Sequence, residues 1–196
     1  MATDPPATYH ASARGRSSRP ARISPDGTRG YTANVEPGSV SVLDLVGHKL
    51  LKVIPISGKT QRIALSADGR WVFTFDQTQP RIAVIDTRTN MIARWVPLPS
   101  PGYGAAATRD GRYLLVPLWT GHQVVAVNLK TMQIDHTIDV LQAPQEVLIA
   151  PGGQTAYVAS PPENKVSVMS LTEWMQTATI PVGKRPDGLA WAAPQP

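Results

Sequence analysis

The chain has 196 residues, of which 42% are hydrophobic and 17% charged, with 19 prolines, 15 glycines and no cysteine. The lack of cysteine excludes a disulfide framework, a thiolate zinc site and a cysteine nucleophile. The net charge of +5 is uneven, because residues 1–30 contain five arginines and two aspartates.

Residues 1–18 come first and are expected to form a disordered basic tail. They contain Arg14 and Arg16 but lack the apolar core of a signal peptide. No apolar stretch of the sequence approaches the ~18 residues of a membrane helix, so we expect no membrane span. From residue 31 onward the chain is nearly neutral, which argues against nucleic acid as a partner. The compartment is left open.

A four-residue turn sequence follows the tail and recurs every 42 residues. Its copies are Ser24–Gly27, Ser66–Gly69, Thr108–Gly111 and Ala150–Gly153. Three of the four copies contain Asp-Gly, which predicts a tight turn because glycine accepts positive φ without a Cβ clash. The constant spacing predicts four copies of one unit over residues 19–193.

Each unit contains four short segments with the composition of β-strands. The first is short and apolar (62–65 in the second unit), and the second is aromatic and β-branched (31–34, 71–74, 113–116 and 157–160). The third is apolar on both faces (40–44, 82–86, 124–128 and 166–170), and the fourth ends at an isoleucine or valine. Burial on both faces is typical of a small sheet between two neighbouring sheets. Four strands per unit of this length are typical of a propeller blade.

These segments resemble the YVTN-type β-propeller repeat. The resemblance lies in Tyr31–Asn34, Tyr157–Ser160, Val40–Asp44, the Ser-Pro-Asp-Gly turn and Ile180–Gly188, and it covers about residues 18–193. It implies an all-β fold, a β-propeller built from four 42-residue, four-stranded blades. The superfamily includes binding proteins, surface-layer proteins, lactonase-like enzymes and haem-binding relatives, and its members are commonly periplasmic or exposed at the cell surface.

Relatives of this type usually have about seven blades, so closure of the ring is an open question. Three interpretations follow: a closed four-blade ring, a half-ring that dimerises through its open edges, or a fragment of a longer propeller. Residues 187–192 have the pattern of one further inner strand, whereas residues 19–23 contain two arginines. We therefore predict that 187–192 pair with the strand at 29–34, directly or across a subunit, and close the first blade.

Candidate ligand-binding residues follow from positions in the repeat. Arg62, Gly104, Glu146 and Gly188 are equivalent, so two units have opposite charges where two have glycine. This pattern predicts either a ligand site or an internal ion pair near the channel mouth. Further candidates lie in the same loops and in the loop between the second and third strands of the third unit. The candidate ligand-binding residues are Arg62, Tyr103, Trp119, His122, Glu146 and Asp187.

The sequence contains no nucleophile elbow, phosphate-binding loop or zinc-protease motif. Gly102–Ala107 matches a dinucleotide-binding pattern but leads into a predicted strand, so we expect no cofactor. The histidines lack metal-ligand spacing, and we expect no metal site. The resulting prediction is a non-enzymatic binding or interaction scaffold for an unknown small molecule or protein. A lactonase-like hydrolase using Arg62, Glu146 and His122 is the alternative, and a nucleic-acid-binding propeller is a second one.

Overall fold

Four antiparallel sheets of four strands each make up residues 19–181. The computed structural model describes residues 19–192, with side chains from residue 21 onward. Its regular structure is entirely β apart from one 3₁₀ turn at Pro161–Glu163. Each sheet follows chain order from an inner to an outer strand, so each predicted unit is one blade. This confirms the predicted fold class. The predicted tail, residues 1–18, lies outside the described residues.

The strands of the four blades are as follows. Blade one contains β1 (Arg19–Ile23), β2 (Arg29–Asn34), β3 (Ser39–Asp44) and β4 (Lys49–Pro55). Blade two contains β5 (Thr60–Leu65), β6 (Trp71–Asp76), β7 (Arg81–Asp86) and β8 (Met91–Pro97). Blade three contains β9 (Ala106–Ala107), β10 (Tyr113–Leu118), β11 (Gln123–Asn128) and β12 (Gln133–Asp139). Blade four contains β13 (Glu146–Ile149), β14 (Thr155–Ser160), β15 (Lys165–Ser170) and β16 (Met175–Pro181).

The Asp-Gly turns join the first and second strand of a blade by a fixed set of hydrogen bonds. In blade three, Thr108 Oγ1 donates to Asp110 Oδ1 at 2.6 Å, and the Arg112 amide donates to the same oxygen at 3.0 Å. Gly111 has a φ of +70°, which an L-residue adopts only with strain. These bonds lower the pKa of the Asp110 carboxyl below its usual value, the Thr108 hydroxyl being the main cause.

The hydrophobic core consists of three clusters, each between two successive blades. Within residues 19–192 there is one such cluster between blades one and two, one between two and three, and one between three and four. We call the face that a blade turns to the next blade its forward face, and the opposite one its backward face. Tyr31 and Ile54 lie on the forward face of blade one, against Val72 and Ile85 on the backward face of blade two. Four blades joined by three clusters form an open arc.

The open end is visible at one repeat position of the fourth strand. Ile54, Val96 and Ile138 are 4%, 2% and 2% exposed, because each forward face is covered by the next blade. The equivalent Ile180 of blade four is 43% exposed. A closed four-blade ring would bury this residue against blade one.

The chain's own β1 occupies the inner edge of blade one. It pairs antiparallel with β2, and Arg22 lies opposite Tyr31. Residues 183–192 contain no strand. Pairing of 187–192 with 29–34 is therefore not formed within this chain, and pairing across a subunit stays a prediction. Among the described residues there is no helix with the length and apolarity needed to span a membrane.

Candidate functional site

A bulge in the inner strand of blade two positions Arg62. Gln61 lies opposite Phe75 and Ala64 opposite Phe73, so β5 has one residue more than β6 in this interval. Arg62 is at the bulge with a φ of +53°, and Thr74 Oγ1 donates to its carbonyl oxygen at 2.8 Å. A bulge of this kind redirects a side chain out of the normal alternation of a strand.

The redirected Arg62 side chain lies among three of the other predicted site residues. Its Nη1 is 3.3 Å from Glu146 Oε2 in β13, and its Nη2 is 3.1 Å from Asp187 Oδ1. Its guanidinium carbon is 5.2 Å from the centre of the Tyr103 ring. The side chains of Arg62 and Glu146 are 9% and 12% exposed, whereas that of Asp187 is 57% exposed. Inner strands of two non-adjacent blades are thus linked by a nearly buried ion pair.

Gly104 explains why this pair fits across blade three. A Cβ atom at position 104 would lie 2.6 Å from the Gln145 carbonyl oxygen and 3.3 Å from Glu146 Oε2. The small residue in the third unit and the charged residue in the fourth therefore depend on each other. Of the two alternatives drawn from the repeat, the internal ion pair is formed, and a ligand at this position stays a prediction.

Burial dominates the electrostatics of Glu146. It raises the pKa of this carboxyl above its usual value, while the positive charges of Arg62 and Arg22 act in the opposite direction. Asp187 adds to the increase because it places a second negative charge nearby. Because Glu146 and Asp187 both lie beside Arg62 and repel each other, ionisation of one of the two carboxyls opposes ionisation of the other.

Two buried polar atoms of the cluster have no hydrogen-bond partner. They are Arg62 Nε and Gln61 Oε1, neighbours at the bulge. A buried donor without a partner is costly, and native structures usually satisfy it with protein, water or ligand. The guanidinium thus retains a donor beyond those used by Glu146 and Asp187.

A groove of about 380 Å³ begins beside the cluster at Gln145. Its other walls are Pro161, Pro162, Asn164, Lys184 and Arg185. The Arg185 amide donates to Asn164 Oδ1 at 2.9 Å, which fixes residues 182–187 against the β14–β15 connection. Lys184 and Arg185 are both exposed, so the groove has two cationic side chains. Sequence reasoning missed them as site residues, although the adjacent basic pair just before Asp187 is a visible signal.

Trp119 and His122 lie on the β10–β11 turn. Gly102 forms a bridge with Leu118, and the Tyr103 amide donates to the Pro117 carbonyl oxygen at 3.1 Å, so this turn starts beside the Tyr103 loop. Trp119 is 40% exposed. The ion pairs of Arg62 and its contact with the Tyr103 ring involve neither Trp119 nor His122. Of the three residues in the hydrolase alternative, Arg62 and Glu146 form an ion pair in which His122 takes no part.

Within the part of the chain that the structure describes, no three histidine or acidic side chains are grouped so as to hold a metal ion. Gly102–Ala107 leads into strand β9 rather than a helix. A dinucleotide-binding turn requires the N-terminus of a helix at this point. The glycine pattern here therefore belongs to the loop that enters strand β9.

Comparison with solved structures gives the fold. The chain is a β-propeller. Similar structures include the hydrazine synthase of Kuenenia stuttgartiensis (17% identity, TM-score 0.76) and the dihydro-haem d1 dehydrogenase NirN in complex with DHE (21%, 0.74). A third is the β-propeller domain of Cps50 (Swd1) from Myceliophteria thermophila (13%, 0.73). No protein-family model and no curated protein matches the sequence.

The aligned region covers 81%, 86% and 86% of this propeller and 47%, 38% and 56% of those three chains, respectively. The chain thus spans roughly half the length of the structures it resembles. At these identities the likeness shows the fold alone, because propellers of one shape perform many unrelated functions.

Proposed function

We propose that this propeller is a non-enzymatic binding module that takes a small anionic ligand at the channel mouth, on Arg62. The observation that carries the proposal is a nearly buried guanidinium with a free Nε donor, positioned by a strained bulge. Strained backbone of this kind is concentrated at functional sites. The two cationic side chains of the neighbouring groove, Lys184 and Arg185, favour a negatively charged ligand.

The ligand takes the place of Asp187 on Arg62. Asp187 is more than half exposed, and an exposed ion pair contributes at most about 1 kcal/mol, so its replacement costs little. A ligand carboxylate or phosphate accepts from Nε and Nη2 together, which is the two-point geometry that guanidinium favours. Tyr103 then lies on one side of the ligand, and Trp119 and His122 form the blade-three edge of the site.

Binding is tested by calorimetry with succinate, citrate and inorganic phosphate, and with succinamide as the uncharged control. We expect the anions to bind and succinamide not to bind. Arg62→Ala is expected to weaken anion binding at least about tenfold, whereas Arg70→Ala, which removes an arginine stacked on Trp71 in blade two, leaves it unchanged. Equal affinity in both variants, or no binding of any anion, contradicts the proposal.

Turnover separates this proposal from the hydrolase alternative. A panel of lactones is incubated with the wild-type chain and with Glu146→Gln and His122→Ala. We expect no hydrolysis above the uncatalysed rate, because Arg62 is occupied by Glu146 and His122 lies outside that contact. Turnover that both substitutions abolish would replace the binding module with an enzyme.

A further inference from the structure

The two ends of the arc expose apolar faces that are covered everywhere else in the molecule. On the forward face of blade four, Val182 is 40% exposed, whereas its equivalents Ile56 and Leu98 are 8% and 6% exposed. On the backward face of blade one, Ile23 and Leu50 are 61% and 57% exposed. Groups of exposed apolar side chains on one face mark interaction surfaces.

One end of the arc exposes a forward face and the other end exposes a backward face, the two kinds of face that pack together inside the arc. Inside the arc, every forward face packs against the backward face of the next blade. The forward face of blade four is uncovered at Ile180 and Val182, and the backward face of blade one is uncovered at Ile23 and Leu50. The surface that fits the forward face of blade four is therefore a backward face, and blade one of a second copy of this chain has one.

Residues 187–192 have the pattern of an inner strand without forming one. By the 42-residue repeat, Leu189 is equivalent to Ile63 and Val147, which are 1% and 2% exposed in the cores. Trp191 is equivalent to Leu65 and Ile149 but is half exposed. The segment therefore starts the blade that would follow blade four.

The strand that occupies the same position in blade one, β1, is a poor fit. Arg22 lies where the second unit has the buried Ala64, and Pro20 has no amide hydrogen to donate to a ladder. β1 aligns with β2 at only three positions, with the same register shift that β5 has at the equivalent positions of blade two. By comparison, β13 pairs with β14 at four consecutive positions.

We propose that two copies of this chain join by exchanging residues 187–192, which replace β1 at the β2 edge of the partner blade. Each copy gives one segment and receives one, so the assembly has two-fold symmetry and no open face. The size is compatible with this, since the aligned part of one chain, 86% of its length, covers 56% of the Cps50 propeller domain. The register follows from β13 and β14, where Val147 lies opposite Val158. It places Leu189 opposite Thr32.

A disulfide tests this register, because the chain has no cysteine of its own. We expect the double variant Thr32→Cys, Leu189→Cys to form a covalent dimer on mild oxidation. The matched control is Ser41→Cys with Leu189→Cys. Ser41 pairs with Thr32 from β3, one strand further from the edge. Its Cα is then about 9–10 Å from that of residue 189, beyond the reach of a disulfide.

Solution mass gives an independent measurement. The wild-type chain is expected at twice 21.1 kDa, and Ile180→Asp at 21.1 kDa with its fold retained, since Ile180 is already exposed in the arc. A monomeric wild-type chain overturns the proposal. A disulfide within one chain also overturns it, because it indicates a closed four-blade ring. Equal cross-linking of both cysteine pairs overturns the exchanged register.

Discussion

Arg62 shows how one residue is fixed by contacts from three parts of the chain. Its backbone lies in a β5 bulge, its head group contacts Glu146 of β13, and Asp187 approaches from beyond β16. Removal of one partner from a buried pair leaves the other charge buried and unpaired, which costs more than the pair itself contributes. The two carboxylates differ because only Glu146 is nearly buried.

This difference predicts unequal effects on stability. Arg62→Ala is expected to lower the free energy of unfolding by about 3–5 kcal/mol, because ionised Glu146 loses its partner. Asp187→Asn is expected to lower it by about 1 kcal/mol or less, since the Asp187 side chain is 57% exposed. Urea denaturation of both variants measures the two values. Equal losses would show that the Arg62–Glu146 pair is not the stabilising one.

The pKa of Glu146 makes a prediction about pH. Because burial raises that pKa in the folded state, folded Glu146 holds its proton more tightly than unfolded Glu146. Its contribution to stability is therefore present at low pH and lost as pH rises through the raised pKa. The Tm of Glu146→Gln minus that of the wild type is expected to increase between about pH 4 and about pH 7. A difference that stays constant with pH would contradict the burial of this carboxyl.

At the scale of elements, the turn between the first and second strand sets the geometry of each blade. Asp110 accepts from Thr108 and Arg112, and Gly111 provides the positive φ. Blade four forms the same turn with Gly152 and Gly153, and only Gly153 has a positive φ. The left-handed backbone conformation is therefore required at the second of these two positions and not at the first.

Glycine substitutions separate backbone strain from crowding in this turn. Gly111→Ala is expected to destabilise the chain by about 1–2 kcal/mol, because alanine has to adopt a left-handed conformation. An added Cβ meets no atom within 4 Å at Gly111 or at Gly152, so a clash contributes to neither substitution. Gly152→Ala is the control and is expected to change stability by no more than about 0.5 kcal/mol. Thermal denaturation measures both, and equal losses would contradict the role of φ.

For the whole molecule, burial is concentrated in the two middle blades. β7 and β10 are buried along almost their full length, whereas β3 and β15 have half-buried positions on the faces that end the arc. In repeat architectures, stability is approximately a sum of unit and interface contributions. A blade with two interfaces is therefore more stable than a blade with one.

Hydrogen exchange measures the difference in stability between the two middle blades and the two end blades. In the Ile180→Asp variant, which is designed to prevent the proposed association through blade four, amides of β7 and β10 are expected to exchange at least about tenfold more slowly than those of β3 and β15. In the wild-type chain, association would cover both end blades and reduce the difference. Uniform protection in the Ile180→Asp variant would contradict an open arc.

Much of the fold could be predicted from the sequence, because its signals are local and repeated. The turn residues, the β-branched second strands and the two-sided third strands recur every 42 residues, and the structure confirms the blades that they predict. Strand ends differ by one or two residues: the second strand of blade two ends at Asp76 rather than at Thr74. Such ends depend on ladder hydrogen bonds to the next strand, which composition does not reveal.

The site was predictable only in part. Arg62 and Glu146 could be predicted as candidates, because they are charged at a repeat position where the other two units have glycine. Lys184 and Arg185 were missed, since their position depends on the Asn164 contact between two loops. The bulge that aims Arg62 at Glu146 is also invisible in sequence, because a register shift is a property of two paired strands.

By itself, the sequence determined the repeat, the four blades of residues 19–181 and the charged positions on the inner strands, since residues a fixed distance apart specify each of them. The tertiary structure alone decided that Arg62 contacts Glu146 across Gly104, and that Ile180 is uncovered where its three equivalents are buried. The reason is physical: the 42-residue period specifies each blade in the same way. Which blades meet depends on how the blades pack against one another in three dimensions, and residues of a single repeat do not specify this.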